Sequence, residues 1–139
     1  YGNTIVSVKL TKDEFFKYME TIAGHILTAR KGPIGGNPQL INMKLVIKGG
    51  KLYSVSDRRG SWKFVKRGSN ITGKKKTITL GTLNFLARGG DKYPDITKHK
   101  SYVDTGFMIN AAMMDYAKKL KKINANFYKM NIQNLISIE

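Results

Sequence analysis

The residues best placed to do chemistry lie in "NFLARGGDKYP", residues 84–94. Phe85 is followed six positions later by Asp91, with Gly89 and Gly90 just before the acid. A ring and a carboxylate at that spacing suit one kind of ligand. An aromatic face stacks on a base, a contact of about 1–3 kcal/mol. A carboxylate accepts hydrogen bonds from the hydroxyls of a ribose. Two glycines let the backbone turn sharply and let a ligand approach closely. The same residues also describe a core Phe followed by an ordinary Gly-Gly-Asp turn, and spacing alone leaves both readings open.

Other chemistries are poorly served. The 139 residues contain no cysteine and only two histidines, His25 and His99. Thiolate metal sites and His-rich catalytic centres are therefore excluded within these residues. His25 falls near the end of an expected helix, close to its apolar side, and reads as a partly buried histidine. His99 falls among lysines and reads as a surface residue. "GPIGG" and "RGGD" have neither the Walker spacing nor the dinucleotide fingerprint. No Ser-His-Asp set is identifiable, and no close carboxylate pair is suggested by spacing.

These residues need elements to hold them. The length and 41% hydrophobic content suit one folded domain, residues 1–139. "IVSVKL" (5–10) alternates and reads as a strand. Thr11 and Glu14 stand at capping-box spacing ahead of Phe15, Phe16, Met19, Ile22, Ala23 and Ile26, which predicts an amphipathic helix over 12–28. "KGPIGGNP" (31–38) is a loop. Residues 41–57 read as a hairpin turning at Gly49-Gly50, and 62–66 as a short strand before a turn-rich loop. Residues 77–87 read as one long strand, bent at Gly81, which would put Phe85 near its end. A long loop follows, then a helix over 109–122 with Ile109, Met113, Tyr116, Ala117 and Leu120 on one face, then a short strand in "NLISI". The order predicts a mixed α/β fold, largely an antiparallel sheet with helices.

The net charge of +16 comes from 25 Lys and Arg against 9 acids. It favours anionic partners such as nucleic acid or acidic surfaces, through charge only. The plain alternative is a solvated lysine-rich surface, since the lysines are scattered and "GKKKT" is the densest run. No apolar run reaches the length of a membrane span, and no signal-peptide pattern opens the chain. It begins "YGNTIV" without Met, as a piece of a longer protein would.

Taken in order, "YGNTIV", "GGNPQLIN", "TLNFLARGGDKYP" and "VDTGF" resemble the C-terminal domain of the bacterial periplasmic 5′-nucleotidase family. That family includes UDP-sugar hydrolases, 2′,3′-cyclic-nucleotide phosphodiesterases and an animal ecto-5′-nucleotidase. The resemblance runs from residue 1 to about 122. It implies that these residues form most of a substrate-binding domain. It also implies that a separate N-terminal domain, absent from this chain, carries two divalent metal ions and the hydrolysis. No cofactor and no catalytic residue are then expected here. The implied partners are a nucleoside or nucleotide and that metal domain of the same polypeptide. The implied location is periplasmic or extracellular.

Residue by residue, the resemblance implies that Phe85 stacks the base and Asp91 holds the ribose hydroxyls. Asn42, in "PQLIN", would hydrogen-bond the base edge, and Gly2 and Asn3 would lie in a loop near the pocket, with Gly90 beside the acid. The family's first stacking aromatic is not matched: Asn37 and Leu40 occupy that stretch, so Leu40 would pack on the base as an aliphatic wall. Trp62 is a candidate to supply an aromatic from elsewhere. Lys92 stands where the family's "GGDGY" has glycine. The competing expectation is a non-catalytic basic module on the same fold, with an eroded pocket.

Overall fold

The computed structural model describes residues 2–29, 40, 42–120 and 136–139. The expected first strand and helix are β1 (Thr4–Thr11) and α1 (Lys12–Ala29). The capping box forms: Thr11 Oγ1 accepts from the Glu14 backbone N–H at 3.3 Å, and Glu14 Oε2 accepts from the Thr11 N–H at 2.8 Å. The Thr11 N–H and the Thr11 hydroxyl, both donating to Oε2, hold the Glu14 carboxyl below its ordinary range. All six residues of the expected apolar stripe are buried, with Tyr18 beside them.

The hairpin is β2 (Met43–Lys48) and β3 (Lys51–Asp57), with Gly49 and Gly50 both at positive φ. β4 (Lys63–Arg67) follows, and β5 (Asn70–Thr72) adds a strand where the sequence reads as loop. β6 is Thr77–Leu83. It keeps an unbroken register with β1 through Gly81, which pairs with Ser7, and it ends before Phe85. Residues 84–87 form instead a short helix, α2 (Asn84–Ala87). The expected long loop is also not structureless. It holds a tight turn at Gly90–Lys92 and the strand β7 (Val103–Met108). α3 (Ile109–Leu120) and β8 (Ile136–Ile138) complete the fold; 31–38 and 121–122 lie outside the described residues.

Two sheets result. One has the order β6-β1-β7; the other is β5-β4-β3-β2-β8. All pairings among the described residues are antiparallel except β2 with β8. The architecture is therefore the expected mixed, mainly antiparallel α/β type. α1 contacts β1 and β6 in the first sheet and β3 and β5 in the second. Its buried face, with Val8, Leu10, Ile78 and Leu80 from one sheet and Leu45, Ile47, Val55 and Phe64 from the other, makes one hydrophobic cluster. Each such side chain contributes about 1.5–3 kcal/mol when fully buried. Among the described residues no helix is long and apolar enough to cross a membrane.

Candidate functional site

The alternative of a core Phe fails. The Phe85 side chain is 46% exposed, on the first turn after β6. Its backbone is anchored from below, because Ala87 is fully buried and its carbonyl accepts the Ile96 N–H at 2.9 Å. Gly89, at φ 86, then reverses the chain, and its N–H donates to the Leu86 carbonyl at 3.0 Å. The reversal folds Gly90 directly beneath Phe85. A Cβ built on Gly90 would sit 2.6 Å from Cε1, from Cζ and from the carbonyl oxygen of Phe85. The second glycine is thus demanded by the ring and the backbone carbonyl of Phe85 together.

Asp91 follows in the left-handed region at φ 53, ψ 30, a conformation that Asp tolerates better than most residues. Lys92 is left-handed too, at φ 63. Glycine would take that angle at no steric cost; the lysine keeps the turn and carries strain. The Asp91 side chain is exposed, and no hydrogen bond or ion pair engages its carboxylate among the described residues. The loop is pinned by buried Tyr93, whose ring meets His25 at 5.0 Å and Tyr18 at 6.4 Å. Burial raises the Tyr93 phenol, and the nearby Asp91 charge adds to it. Burial likewise pushes Tyr18 up to about 12. One further acceptor is unclaimed: the buried Asn84 Oδ1, adjacent to Phe85 in sequence, has no partner among the described residues.

The register brings Asn3 to the same end of the sheet. Ile5 pairs with Leu83, so Asn3 lies level with the start of α2, and its carbonyl accepts the Ile109 N–H at 3.0 Å. Beside it Thr4 Oγ1 donates to Asp104 Oδ2 at 2.9 Å, and the Gly106 N–H donates to Oδ1 at 3.0 Å. These bonds, with the Arg88 charge, hold the Asp104 carboxyl below its ordinary range.

The remaining candidates sit elsewhere. Asn42 is exposed at φ 60 at the approach to β2, and its carbonyl accepts the Arg58 N–H at 3.1 Å. Leu40 is half-buried against the core cluster. Both lead into the five-stranded sheet, whereas Phe85, Gly90, Asp91 and Asn3 gather at the three-stranded one. Asn37 lies outside the described residues. Trp62 does not reach the site; its ring packs on Phe64 at 5.2 Å and Phe15 at 5.8 Å.

His25 is partly buried, as expected, with Nδ1 unpartnered among the described residues. His99 corrects the sequence reading. It is half-buried, its Nε2 stands 3.6 Å from Glu14 Oε1, and its Nδ1 is 2.8 Å from Ser101 Oγ. The set mimics a Ser-His-acid triad. Its hydroxyl is already committed, however: Ser101 Oγ accepts the Lys9 N–H at 2.8 Å and donates to the Lys9 carbonyl at 2.9 Å. The cluster fastens the loop to β1 and α1. Beside it a groove of about 330 Å³, lined by Tyr18, Pro94 and Ile96 among others, runs between α1 and the loop. No three His, Cys, Asp or Glu side chains converge to hold a metal among the described residues.

No family model matches the chain. Relatives do. Protein UshA of Escherichia coli K12 is 30% identical over 129 residues, covering 93% of this chain and 21% of the relative. Protein UshA of Yersinia enterocolitica is 32% identical over 133 residues, with the same coverages of 93% and 21%. The 5′-nucleotidase of Vibrio cholerae is 26% identical over 130 residues, covering 91% of this chain and 20% of that protein. Among solved structures, the 5′-nucleotidase precursor of Thermus thermophilus superposes with a TM-score of 0.63 at 21% identity, over 99% of this chain and 25% of that one. The NAD nucleotidase NadN of Haemophilus influenzae gives 0.66 at 17%, over 100% and 25%. The chain thus spans about a fifth of the length of the relatives it matches. It is a homologue of UshA and the 5′-nucleotidases, and its fold is that of the 5′-nucleotidase C-terminal domain.

Proposed function

We propose that this chain is the nucleoside-binding C-terminal portion of a 5′-nucleotidase-like metallophosphoesterase that hydrolyses nucleotide phosphate esters. The observation that carries this reading is the exposed Phe85 ring seated on Gly90, with the exposed Asp91 carboxylate on the same turn. In the proposed complex Phe85 stacks the base and Asp91 accepts from the ribose hydroxyls. Asn42 reads the base edge and Leu40 packs against it, brought to the ligand from the approach to β2. Asn3 borders the pocket. Two divalent metal ions, held by the rest of a longer, exported polypeptide, would activate water for the displacement. In this reading this chain's part is to bind and orient the nucleoside.

A second feature supports a larger partner in the same polypeptide. Among the described residues, six of the eight exposed large apolar side chains lie on α2, β7 and α3: Phe85, Val103, Phe107, Met113, Met114 and Tyr116. The expected apolar stripe of α3 forms, yet none of that helix's residues is buried. Such a face suits packing against further chain.

The assignment of Asp91 is tested by comparing adenosine with 2′,3′-dideoxyadenosine by calorimetry. Asp91→Ala is expected to weaken adenosine roughly 10- to 100-fold, as loss of a hydrogen bond to a charged group does, and to leave the dideoxy compound unchanged. Equal loss for both ligands, or none, would remove Asp91 from the ribose.

A further inference from the structure

Folding concentrates charge that is scattered along the sequence. Between Lys44 and Lys76 there are eleven Lys and Arg and a single acid, Asp57. These residues form the meander β2–β5 and its turns. Asp57 does little to offset them, because its carboxylate is turned to its own loop, accepting from Ser61 Oγ at 2.6 Å and the Trp62 N–H at 3.1 Å. Acids from outside the meander reach Lys48 and Lys66, through Glu139 and Glu20.

The register shows where these charges point. Leu45, Ile47, Val55 and Phe64 are buried toward α1. The alternate positions face away from it. Lys44 lies opposite Ser56, and Ser56 opposite Lys63, so two exposed lysines flank a hydroxyl across three strands. At neighbouring strand spacings of about 4.8 Å, Lys44 and Lys63 stand roughly 10 Å apart. Arg67 is exposed on the same alternation of β4, and Lys48 pairs with Lys51 at the hairpin end. There the Tyr53 ring is 39% exposed, with Lys48 Nζ 4.7 Å from its centroid.

We propose that the outer face of the five-stranded sheet binds single-stranded nucleic acid, with Lys44, Lys63 and Arg67 on phosphates and Tyr53 stacked on a base. A cationic sheet face carrying an exposed ring is the combination that single strands require. A bilayer surface is a poorer fit, because it rewards apolar groups inserted among the headgroups. Most of those groups lie elsewhere: of the eight exposed large apolar side chains among the described residues, six belong to β7, α3 and α2, and only Tyr53 and Ile136 to this sheet. The proposal is independent of Phe85 and Asp91, which follow β6 of the other sheet, and none of Lys44, Lys63, Arg67 and Tyr53 is a proposed nucleoside contact.

Fluorescence anisotropy with an oligothymidylate of about 20 nucleotides, from about 50 to 200 mM salt, tests it. Binding is expected, with log K falling against log salt by about 0.7 per phosphate engaged. Lys44→Glu with Lys63→Glu should weaken it at least about tenfold and flatten that slope. Tyr53→Ala should weaken it at least about fivefold, the loss of one stacked base. Adenosine affinity should be unmoved in both variants. If the double Glu variant does not fold, Lys44→Gln with Lys63→Gln serves the same reading. The proposal is overturned by absence of oligothymidylate binding at the low-salt end, or by indifference to the lysine variants. It is equally overturned by Tyr53→Ala binding as wild type, or by capture on phosphatidylglycerol vesicles in place of the oligonucleotide.

Discussion

Gly90→Ala abolishes measurable adenosine binding while the domain stays folded. The new methyl would stand 2.6 Å from two ring carbons and from the backbone carbonyl of Phe85. A ring alone can rotate away, but the carbonyl belongs to the α2 backbone, so the turn itself has to open. Overpacking of this kind costs about 1–3 kcal/mol. The strain falls on the residues that form the proposed site, so binding suffers more than stability. The loss should equal or exceed that of Phe85→Ala, because the mutation displaces the ring and shifts Asp91 with it. Calorimetry with adenosine, beside a thermal melt, checks this. Wild-type affinity in Gly90→Ala would mean that the ring position is irrelevant to the ligand.

Gly73→Ala strikes the fold and spares the site. Gly73 has φ 147, a region that side chains rarely enter. Its added Cβ would lie 2.5 Å from Phe64 Cδ1 and 2.6 Å from the Lys63 carbonyl oxygen. Phe64 is fully buried and touches the rings of Phe15 and Trp62, so it has no room to yield. Backbone strain of about 1–3 kcal/mol adds to overpacking of similar size. The sum of roughly 2–6 kcal/mol lowers Tm by on the order of 7–20 °C in a domain of this size. A melt within a few degrees of wild type would show that the β5–β6 connection is loose.

What the sequence made legible was local. The capping box at Thr11 and Glu14, the stripe from Phe15 to Ile26 and the Gly49-Gly50 hairpin each depend on neighbours within a few residues, and each forms. β7 escaped because its burial shows no alternation: five of its six residues are exposed, so no apolar period marks it. The helical turn at Asn84 escaped because "TLNFLA" alternates well enough to extend a strand, and only the end of pairing at Leu83 stops it. His99 was misplaced for a third reason. Its partners are Glu14, 85 positions away, and Ser101, itself bonded to Lys9 across 92 positions. Phe85 and Asp91 were singled out together by their types and the glycines between them, while their spacing left a core Phe before an ordinary turn also open. The exposure of Phe85 and the fit of Gly90 beneath its ring are tertiary facts, which no spacing contains.

The central claim is that Phe85 stacks an uncharged nucleoside. The most direct measurement is an adenosine titration of the wild-type protein and Phe85→Ala, each at low and high salt. The account predicts wild-type binding that is insensitive to salt, since adenosine carries no charge, and a loss of roughly 5- to 150-fold in Phe85→Ala. A folded wild-type protein that ignores adenosine, or a Phe85→Ala variant that binds it equally well, would contradict it.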